Sequence, residues 1–258
     1  MRIQKGVLGV IPARYGSSRF LGKPLAEICR KPMIQHVYER AKKSDILNKL
    51  IVATDNKKIF DTIKSFGGEV VMTDENIRTG TDRTAEIARM YPYEVVLNIQ
   101  GDEPLLEGWM LNKLAEPLIN DKNIHSSTLV KKITELKELE DPNLVRVIID
   151  KNGFALYFSR ASIPFYNDSP DKKEWLKNHQ YYRHIGLYGF QIDFLFEFVE
   201  LEQSSLERAE VLEQLRILEN GYKMKVEIVD YTPYPVDVPE DIKIIERLIR
   251  NFNNSFRF

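Results

Sequence analysis

The sequence predicts an α/β fold in which a mostly parallel central sheet is flanked by helices. Short apolar runs alternate with amphipathic segments through the first half of the chain, and polar loops follow several of the apolar runs. A chain of 258 residues with 43% hydrophobic content can bury a substantial core within one domain. Because the pattern is less regular further along, we expect this single domain, 1–258, to carry an inserted smaller lobe at about 140–210.

The predicted elements alternate between strand and helix, which is typical of parallel strands joined by crossover helices. In the first half the strands are 7–11, 50–54, 69–72 and 94–99, and the helices are 33–43, 57–66 and 82–90. In the second half the strands are 145–150, 155–158, 186–190 and 225–229, and the helices are 194–201, 206–220 and 239–253. Gly221 is a typical helix stop, Pro239 is a typical helix start, and the polar stretch 167–179 is interpreted as a loop.

Polar loops follow three of the predicted strands. Residues 14–23 follow the first strand, Asp55 and Asn56 follow the second, and residues 100–104 follow the fourth. In open parallel sheets, ligands bind beyond the carboxyl ends of the strands. We therefore expect these three loops to converge on one edge of the sheet.

The first of these loops combines small residues with cations. Small residues let backbone N–H groups approach an anion, and cations supply charge that the backbone lacks. The small residues are Gly16, Ser17, Ser18 and Gly22, and the cations are Arg14, Arg19 and Lys23. The loop is not a Walker A loop, because there is one residue too many between Gly16 and Lys23 and because Pro24 stands where Ser or Thr would hold magnesium. The loop is interpreted either as a polyphosphate site or as a solvated basic turn.

Two aspartates are candidate metal ligands. Asp102 directly follows a predicted strand, and Asp237 lies between two prolines in a stiff, extended segment. Mg²⁺ prefers oxygen ligands and commonly takes one or two protein carboxylates together with substrate phosphates. The alternative for each residue is a helix cap or a turn acid, and Glu103 is a less well placed substitute for Asp102.

Arg83 lies in the first turn of a predicted helix, where a cation opposes the helix dipole. A bound anion or the acceptor edge of a base would compensate its charge. The alternative is that Thr81 caps the helix while Arg83 pairs with a nearby Glu.

Residues 181–190 and 210–216 combine aromatic side chains, an imidazole and amides, which suit a sugar acid. On a continuous helix over 206–220, the apolar residues would share one face. Glu213 and Gln214 would then project from the other face and could reach sugar hydroxyls. A lone histidine such as His184 is otherwise more often structural.

The charge balance argues against nucleic acid and membrane surfaces as partners. The chain has 37 basic and 38 acidic residues, so no overall field attracts a polyanion. No apolar run approaches the roughly 20 residues of a membrane helix, and the start of the chain does not have the pattern of a signal peptide. With a single cysteine, Cys29, the sequence predicts a cytoplasmic protein.

The order of several motifs resembles one enzyme family, the 3-deoxy-manno-octulosonate (Kdo) cytidylyltransferases, or CMP-Kdo synthetases. The motifs lie at 12–19, 22–25, 79–83, 98–104, 157–160, 184–188, 212–216 and 236–241. The resemblance implies a nucleotidyltransferase-type α/β fold whose inserted lobe serves dimerisation and sugar binding. It also implies a cytoplasmic homodimer that transfers CMP from CTP to Kdo with Mg²⁺, releases pyrophosphate and serves lipopolysaccharide biosynthesis.

The resemblance also implies roles for individual residues. The metal ligands would be Asp102 and Asp237, and the catalytic set would add Arg14 and Lys23 to them. The nucleotide would be bound by Arg14, Ser17, Lys23 and Arg83. The sugar acid would be bound by Gln100, Arg160, His184, Tyr188, Glu213 and Gln214.

Some positions depart from the family's commonest pattern and leave alternatives open. Leu21 replaces a proline, Arg30 and Lys31 replace an Asn-Gly turn, and Thr79 stands where Ser is frequent. Asp82, where Glu is also common, leaves 8-amino-Kdo as an alternative acceptor. Other open alternatives are another sugar acid, a metal-dependent glycosyltransferase and a non-catalytic nucleotide-binding module.

Overall fold

The structure is a computed structural model that describes residues 2–16 and 20–255, with side chains through residue 251. The chain divides into two compact units. The first unit comprises Met1–Asn112 and Pro233–Phe258, and the second comprises Lys113–Thr232. The range 140–210 that was predicted as an inserted lobe falls within the second unit.

The secondary structure of the described residues alternates strand and helix through the first unit. The strands are β1 (Gln4–Ala13), β2 (Glu27–Ile28), β3 (Lys31–Pro32), β4 (Leu47–Thr54), β5 (Val70–Met72), β6 (Tyr93–Asn98), β7 (Ser126–Lys132), β8 (Arg146–Ile149), β9 (Ala155–Ser159), β10 (Tyr182–Gln191) and β11 (Met224–Ile228). The helices are α1 (Met33–Ala41), α2 (Lys57–Ser65), α3 (Gly80–Met90), α4 (Gly108–Asn120), α5 (Leu136–Glu140), α6 (Lys172–Asn178), α7 (Ile192–Glu200), α8 (Ser205–Glu210), α9 (Leu215–Glu219) and α10 (Asp241–Ser255). A single 3-10 turn, Lys23–Leu25, precedes β2.

The sheet of the first unit is parallel, with the strand order β6-β1-β4-β5. Its central strand, β1, is buried over Val7–Ile11, and that apolar run is the reason a strand was expected there. Ala13 at the end of β1 is paired with Thr54 at the end of β4, and Val10 is paired with Asn98 at the end of β6. The loops after these three strands therefore leave the sheet at the same edge, as the sequence predicts.

The sheet of the second unit is mixed. Strand β7 pairs in parallel with β11 and antiparallel with β10, while β8 pairs antiparallel with β10 and β9. Neither β7 nor α4 was predicted from the sequence. Taken together, the elements confirm the predicted α/β class with a mostly parallel central sheet and flanking helices.

Two predicted elements of the second unit are wrong. The helix expected over 206–220 is divided into α8 and α9, because Val211 has a left-handed backbone with φ 55°. The break lets Arg216 of α9 form a buried double contact with Glu207 of α8, at 2.7 and 2.8 Å. The loop expected over 167–179 contains α6, which buries Trp175 against Ile133, Leu139 and Tyr181.

Candidate active site

The edge where the strands of the first unit end carries a cleft of about 430 Å³. Its lining includes Arg14, Lys23, Gln100 and Asp102, so the loops after β1 and β6 meet there. Gly101 permits this meeting, because a Cβ atom at that position would lie 3.0 Å from the carbonyl oxygen of Pro12. The cleft is therefore formed by polar and charged groups at the carboxyl ends of two neighbouring strands.

Lys23 brings the two predicted metal ligands together. Its Nζ donates to Asp102 Oδ2 at 2.7 Å and lies 3.6 Å from Asp237 Oδ1. It also donates to the carbonyl oxygen of Val236 at 2.8 Å. The Lys23 side chain is only 14% exposed, whereas those of Asp102 and Asp237 are 29% and 43% exposed. Two carboxylates and one ammonium, distant in sequence, thus share one partly solvated position.

The 3-10 turn presents Lys23 to the carboxylates. Gly22, directly before the turn, has φ 71°, which a residue with a side chain rarely adopts. Pro24 lies in the first turn, where its fixed φ suits a helical start, and its side chain is buried. The glycine and the proline thus have local structural reasons to flank the lysine.

The segment that carries Asp237 is held by backbone and side-chain contacts. The Val236 N–H donates to the carbonyl oxygen of Asp102 at 2.9 Å, and the Val236 side chain is fully buried in an apolar cluster with Ile28 and Met33. Asp241, the first residue of α10, accepts hydrogen bonds from the N–H groups of Asp237 and Val238 at 2.8 and 3.0 Å. Asp241 is therefore a residue that positions Asp237, and its contribution was not predicted from the sequence.

Among the described residues, no group of three or more His, Cys, Asp or Glu side chains is arranged to hold a metal ion. The pair formed by Asp102 and Asp237 remains the candidate. The donor set fits Mg²⁺, because carboxylate oxygens are its preferred protein ligands and two of them suffice when phosphates supply the others. The ammonium of Lys23 beside both carboxylates shows that the position favours positive charge.

The first polar loop is described in part. Arg14 is exposed, lines the cleft and donates from Nη1 to the carbonyl oxygen of Arg78 at 2.7 Å. Ser17, Ser18 and Arg19 lie outside the described residues, so the predicted contact of Ser17 with the nucleotide stays a prediction.

Arg83 is completely buried rather than exposed in the cleft. Its Nη2 contacts Asp55 Oδ2 at 2.8 Å, and its Nη1 donates to the Thr73 hydroxyl. Burial lowers the pKa of the guanidinium, and the charge of Asp55 opposes that effect. The compensating carboxylate is thus Asp55 and not a Glu, and the helix cap is Thr79, which accepts from the Asp82 N–H at 3.0 Å, and not Thr81.

This geometry makes Arg83 a link between the loops that follow β4 and β5. Its Nε is buried with no hydrogen-bond partner among the described residues. The assignment of Arg83 to nucleotide binding stays a prediction.

In the second unit, three of the predicted sugar-binding residues lie in contact. The rings of His184 and Tyr188 on β10 are 5.5 Å apart, and the Tyr188 hydroxyl donates to Gln214 Oε1 at 3.1 Å. Burial lowers the pKa of the His184 ring to about 3, so the imidazole is neutral near neutral pH. Burial, with the negative charge of Glu213, raises the pKa of the Tyr188 phenol far above its usual range.

The division of the predicted helix changes the placement of Gln214. A continuous helix would have directed it outward, but the turn between α8 and α9 buries it to 2% exposure. The expectation that Gln214 projects away from the apolar face is therefore wrong, whereas Glu213 is half-buried. The Gln214 Nε2 is buried without a hydrogen-bond partner among the described residues.

Arg160 lies against the same turn. Its backbone N–H donates to Glu210 Oε2 and its Nε donates to the Glu210 carbonyl oxygen, both at 3.0 Å. Glu210 also accepts from the hydroxyl of Ser159 at 2.5 Å. Arg160 and the group of His184, Tyr188 and Gln214 therefore belong to the second unit, while Gln100 lines the cleft of the first.

Comparisons with known proteins agree with this arrangement. The family model described as cytidylyltransferase matches residues 8–228. A 3-deoxy-manno-octulosonate cytidylyltransferase from Thermodesulfovibrio yellowstonii is 45% identical over 256 residues, which covers 95% of this chain and 98% of that protein. The corresponding protein from Syntrophotalea carbinolica is 46% identical, with coverage of 95% and 98%. The chain belongs to the 3-deoxy-manno-octulosonate cytidylyltransferase family.

A solved structure extends the comparison to three dimensions. A CMP:2-keto-3-deoxy-manno-octonic acid synthetase in complex with CTP superposes with a TM-score of 0.89 at 35% identity, covering 95% of this chain and 99% of that one. A 4-diphosphocytidyl-2C-methyl-D-erythritol synthase from Anaerococcus prevotii shares the fold, with a TM-score of 0.61 at 14% identity. The predictions of a Kdo cytidylyltransferase family member and of a nucleotidyltransferase are thus confirmed.

The turn predicted at Arg30 and Lys31, where the family commonly has Asn-Gly, lies one residue earlier in the structure, because Lys31 already belongs to β3. Cys29 and Arg30 connect β2 to β3 with φ 48° and 67°, the backbone that Asn and Gly adopt most easily. The Cys29 N–H donates to Glu246 Oε1 at 2.9 Å, which supports the turn from α10. Leu21, in place of the family's proline, is 69% exposed.

Proposed function

We propose that this chain transfers CMP from CTP to Kdo and releases pyrophosphate, with Mg²⁺ as cofactor. One observation carries the proposal: Lys23 and Asp102 line the cleft where the strands of the first unit end, and Lys23 Nζ also lies 3.6 Å from Asp237 Oδ1. The family supports the choice of CTP and Kdo, because relatives at 45–46% identity carry the name of that activity.

The charges of the site suit this reaction. CTP and the carboxylate of Kdo repel each other, so positive charge must be present before the anomeric hydroxyl can approach the α-phosphorus. Lys23 and Arg14 supply it at the cleft, and both have chain contacts that hold them there. Positioning and charge stabilisation of this kind can each lower a barrier by several kcal/mol.

The pair Asp102 and Asp237 would hold the magnesium ion. Bound there, Mg²⁺ would neutralise charge on phosphate oxygens. The chain's own part is to present two carboxylates, to keep Asp237 in place through Asp241, and to offer Lys23 as a second cation. The transfer is a direct one: the sugar hydroxyl oxygen bonds to the α-phosphorus as the bond to pyrophosphate breaks, the hydroxyl proton is released to water, and no enzyme-bound intermediate forms.

The sugar acid is assigned to the remaining predicted residues. Gln100 belongs to the cleft of the first unit, and the connected group of His184, Tyr188 and Gln214 belongs to the second. Arg160 and Glu213 complete the set. Neutral imidazole, phenol and amide groups are suited to sugar hydroxyls, whereas the guanidinium of Arg160 is suited to a carboxylate.

The proposal also covers the cellular location and the oligomeric state of the enzyme. We assign it to the cytoplasm, as a homodimer that supplies CMP-Kdo for lipopolysaccharide biosynthesis. Among the described residues, no helix is both long enough and apolar enough to cross a bilayer.

A pyrophosphate-release assay tests the proposal. The protein is incubated with CTP, Mg²⁺ and one of Kdo, 8-amino-Kdo, a sialic acid or no acceptor. We expect release with Kdo to exceed release with each other acceptor, and none without an acceptor. Faster release with 8-amino-Kdo would reassign the acceptor, and no release with any of them would overturn the proposal and favour a non-catalytic nucleotide-binding module.

A further inference from the structure

The hydroxyl of Thr128 lies at the centre of an unusual set of contacts on β7. It is 2.8 Å from His184 Nε2, 2.8 Å from the carbonyl oxygen of Leu187 and 3.4 Å from that of Ile185. Thr128 is completely buried, and its strand is paired with β10 on one side and β11 on the other. The hydroxyl is therefore shielded from water, and its hydrogen-bond partners are groups of the protein.

The two carbonyl contacts decide which way the hydroxyl proton points. A hydroxyl has one proton to donate, and a carbonyl oxygen can only accept. The pairing of β10 with β7 is interrupted between Ile185 and Tyr188, so the Leu187 carbonyl lies where that ladder has a bulge. The Thr128 proton is then given to a carbonyl, and the contact to His184 requires the ring nitrogen to be the donor.

We propose that Thr128 is a positioning residue that fixes His184 as the tautomer protonated on Nε2, leaving Nδ1 as a hydrogen-bond acceptor. The proposal rests on the assignment of His184 to the sugar acid. The proposal specifies the contact between His184 and the sugar acid. His184 Nδ1 accepts a hydrogen bond from a hydroxyl of the acceptor sugar and does not pair with the sugar's carboxylate. A carboxylate offers no proton, so it would face a lone pair there.

The surroundings of the ring agree with a single neutral form. The ring packs edge-on against Phe158, with ring centres 5.1 Å apart, and the His184 backbone N–H donates to the carbonyl oxygen of Val145. Burial holds the pKa of the ring low. Nδ1 has no hydrogen-bond partner among the described residues, and the residue keeps some exposure, so a ligand can supply that partner.

Nitrogen NMR of the histidine rings tests the proposal directly. In ¹⁵N-labelled wild-type protein, we expect His184 Nε2 to have the shift of a protonated nitrogen and Nδ1 that of an unprotonated one. The chain has four histidines, and the signals that disappear in His184→Gln identify the ring. A ring protonated on Nδ1 would overturn the proposal, and this result does not depend on catalytic activity or on any Thr128 variant.

Two variants separate positioning from packing. Thr128→Ser keeps the hydroxyl and should keep the tautomer, whereas Thr128→Val keeps the shape and should give a mixture of tautomers. We expect Thr128→Val to raise KM for Kdo about twofold, because a mixture leaves about half of the rings in the tautomer that binds, with KM for CTP unchanged. An unchanged tautomer in folded Thr128→Val, or equal changes in both KM values, would contradict the role assigned to Thr128.

Binding of the sugar acid gives a further readout. When Kdo is added without CTP, Nδ1 should shift but remain unprotonated. Protonation of Nδ1 by bound Kdo would indicate pairing with the carboxylate and would overturn the proposal. If the pyrophosphate assay fails while the free protein shows the expected tautomer, the proposed function is wrong and the positioning role of Thr128 stands.

Discussion

Lys23 Nζ contacts Asp102 Oδ2 at 2.7 Å although 79 residues separate them in the chain. The same ammonium is 3.6 Å from Asp237 Oδ1, so one cation lies against two carboxylates from different ends of the first unit. Two partly buried carboxylates would repel each other, and the ammonium of Lys23 between them offsets that repulsion. The proposed binding of Mg²⁺ and a triphosphate would use this pair of carboxylates and the neighbouring ammonium.

Replacement of either aspartate should remove activity and leave the fold intact. We expect Asp102→Asn and Asp237→Asn each to lower the rate of pyrophosphate release at least a hundredfold, because each removes a charged ligand from a two-carboxylate site. Both side chains are partly exposed, so the midpoint of thermal unfolding should change little. Asp61→Asn, on the exposed face of α2, is the control. A variant with near wild-type rates would remove its residue from the metal site.

Asp241 should act through Asp237. Asp241→Ala removes the acceptor for two N–H groups, and we expect it to raise the Mg²⁺ concentration needed for half-maximal activity and to lower stability by about 1 kcal/mol. Asp241→Asn retains a side-chain oxygen of the same reach and should recover much of both losses. Magnesium titration of activity and urea unfolding measure the two effects. An unchanged magnesium requirement in Asp241→Ala would show that the hydrogen bonds to Asp241 do not position Asp237.

A glycine in the turn between β2 and β3 should increase the stability of the protein. Arg30 is exposed and has φ 67°, a conformation that costs a residue with a side chain about 1 kcal/mol. Arg30→Gly should therefore raise the free energy of unfolding by up to about 1 kcal/mol in urea denaturation. Lys31→Gly, at the neighbouring strand position, is the matched control and should lower it. Destabilisation by Arg30→Gly would mean that the Arg30 side chain makes a compensating contact.

His184 should make stability depend on pH in the acid range. Its pKa is lowered to about 3 in the folded protein, so between about pH 3 and 6.5 the unfolded chain binds a proton that the folded chain does not. This contribution is complete above the unfolded value of 6.5 and is lost as the pH falls toward 3. From pH 7 to 4.5 the loss should be about 2 kcal/mol.

Urea unfolding at several pH values measures this dependence. His184→Gln should have a flatter slope than the wild type over that range, and His179→Gln, an exposed position, controls for the loss of a histidine. If the unfolding free energy has the same pH slope in the wild type and in His184→Gln, the folded ring binds a proton as readily as the unfolded one over this pH range.

Much of the first unit was predictable from the sequence. Buried parallel strands have continuous apolar sequences, and the helices that connect them have amphipathic sequences. The convergence of Arg14, Gln100 and Asp102 follows from that topology alone. The contact of Asp237 with the same site does not, since nothing local relates residue 237 to residue 23. The prolines on either side of Asp237 suggested it as a partner for Asp102, and the resemblance to the family implied the same pair, but neither indicated the contact with Lys23.

The second unit was predicted less well for local physical reasons. A non-glycine residue in the left-handed region, Val211, ends α8 where the apolar pattern continues, and the buried pair of Glu207 and Arg216 stabilises the break. Such tertiary contacts override helix propensity. The burial of Gln214 was missed because it follows from this break, and in the first unit the partner of Arg83 was missed because Asp55 lies 28 residues away.

Anomalous diffraction from crystals of the protein with Mn²⁺ and CTP tests the central claim most directly. The account predicts one metal peak bonded to carboxylate oxygens of both Asp102 and Asp237 and to the triphosphate, with Lys23 displaced toward phosphate oxygens. A metal held by the triphosphate alone, or bound to neither aspartate, would contradict it.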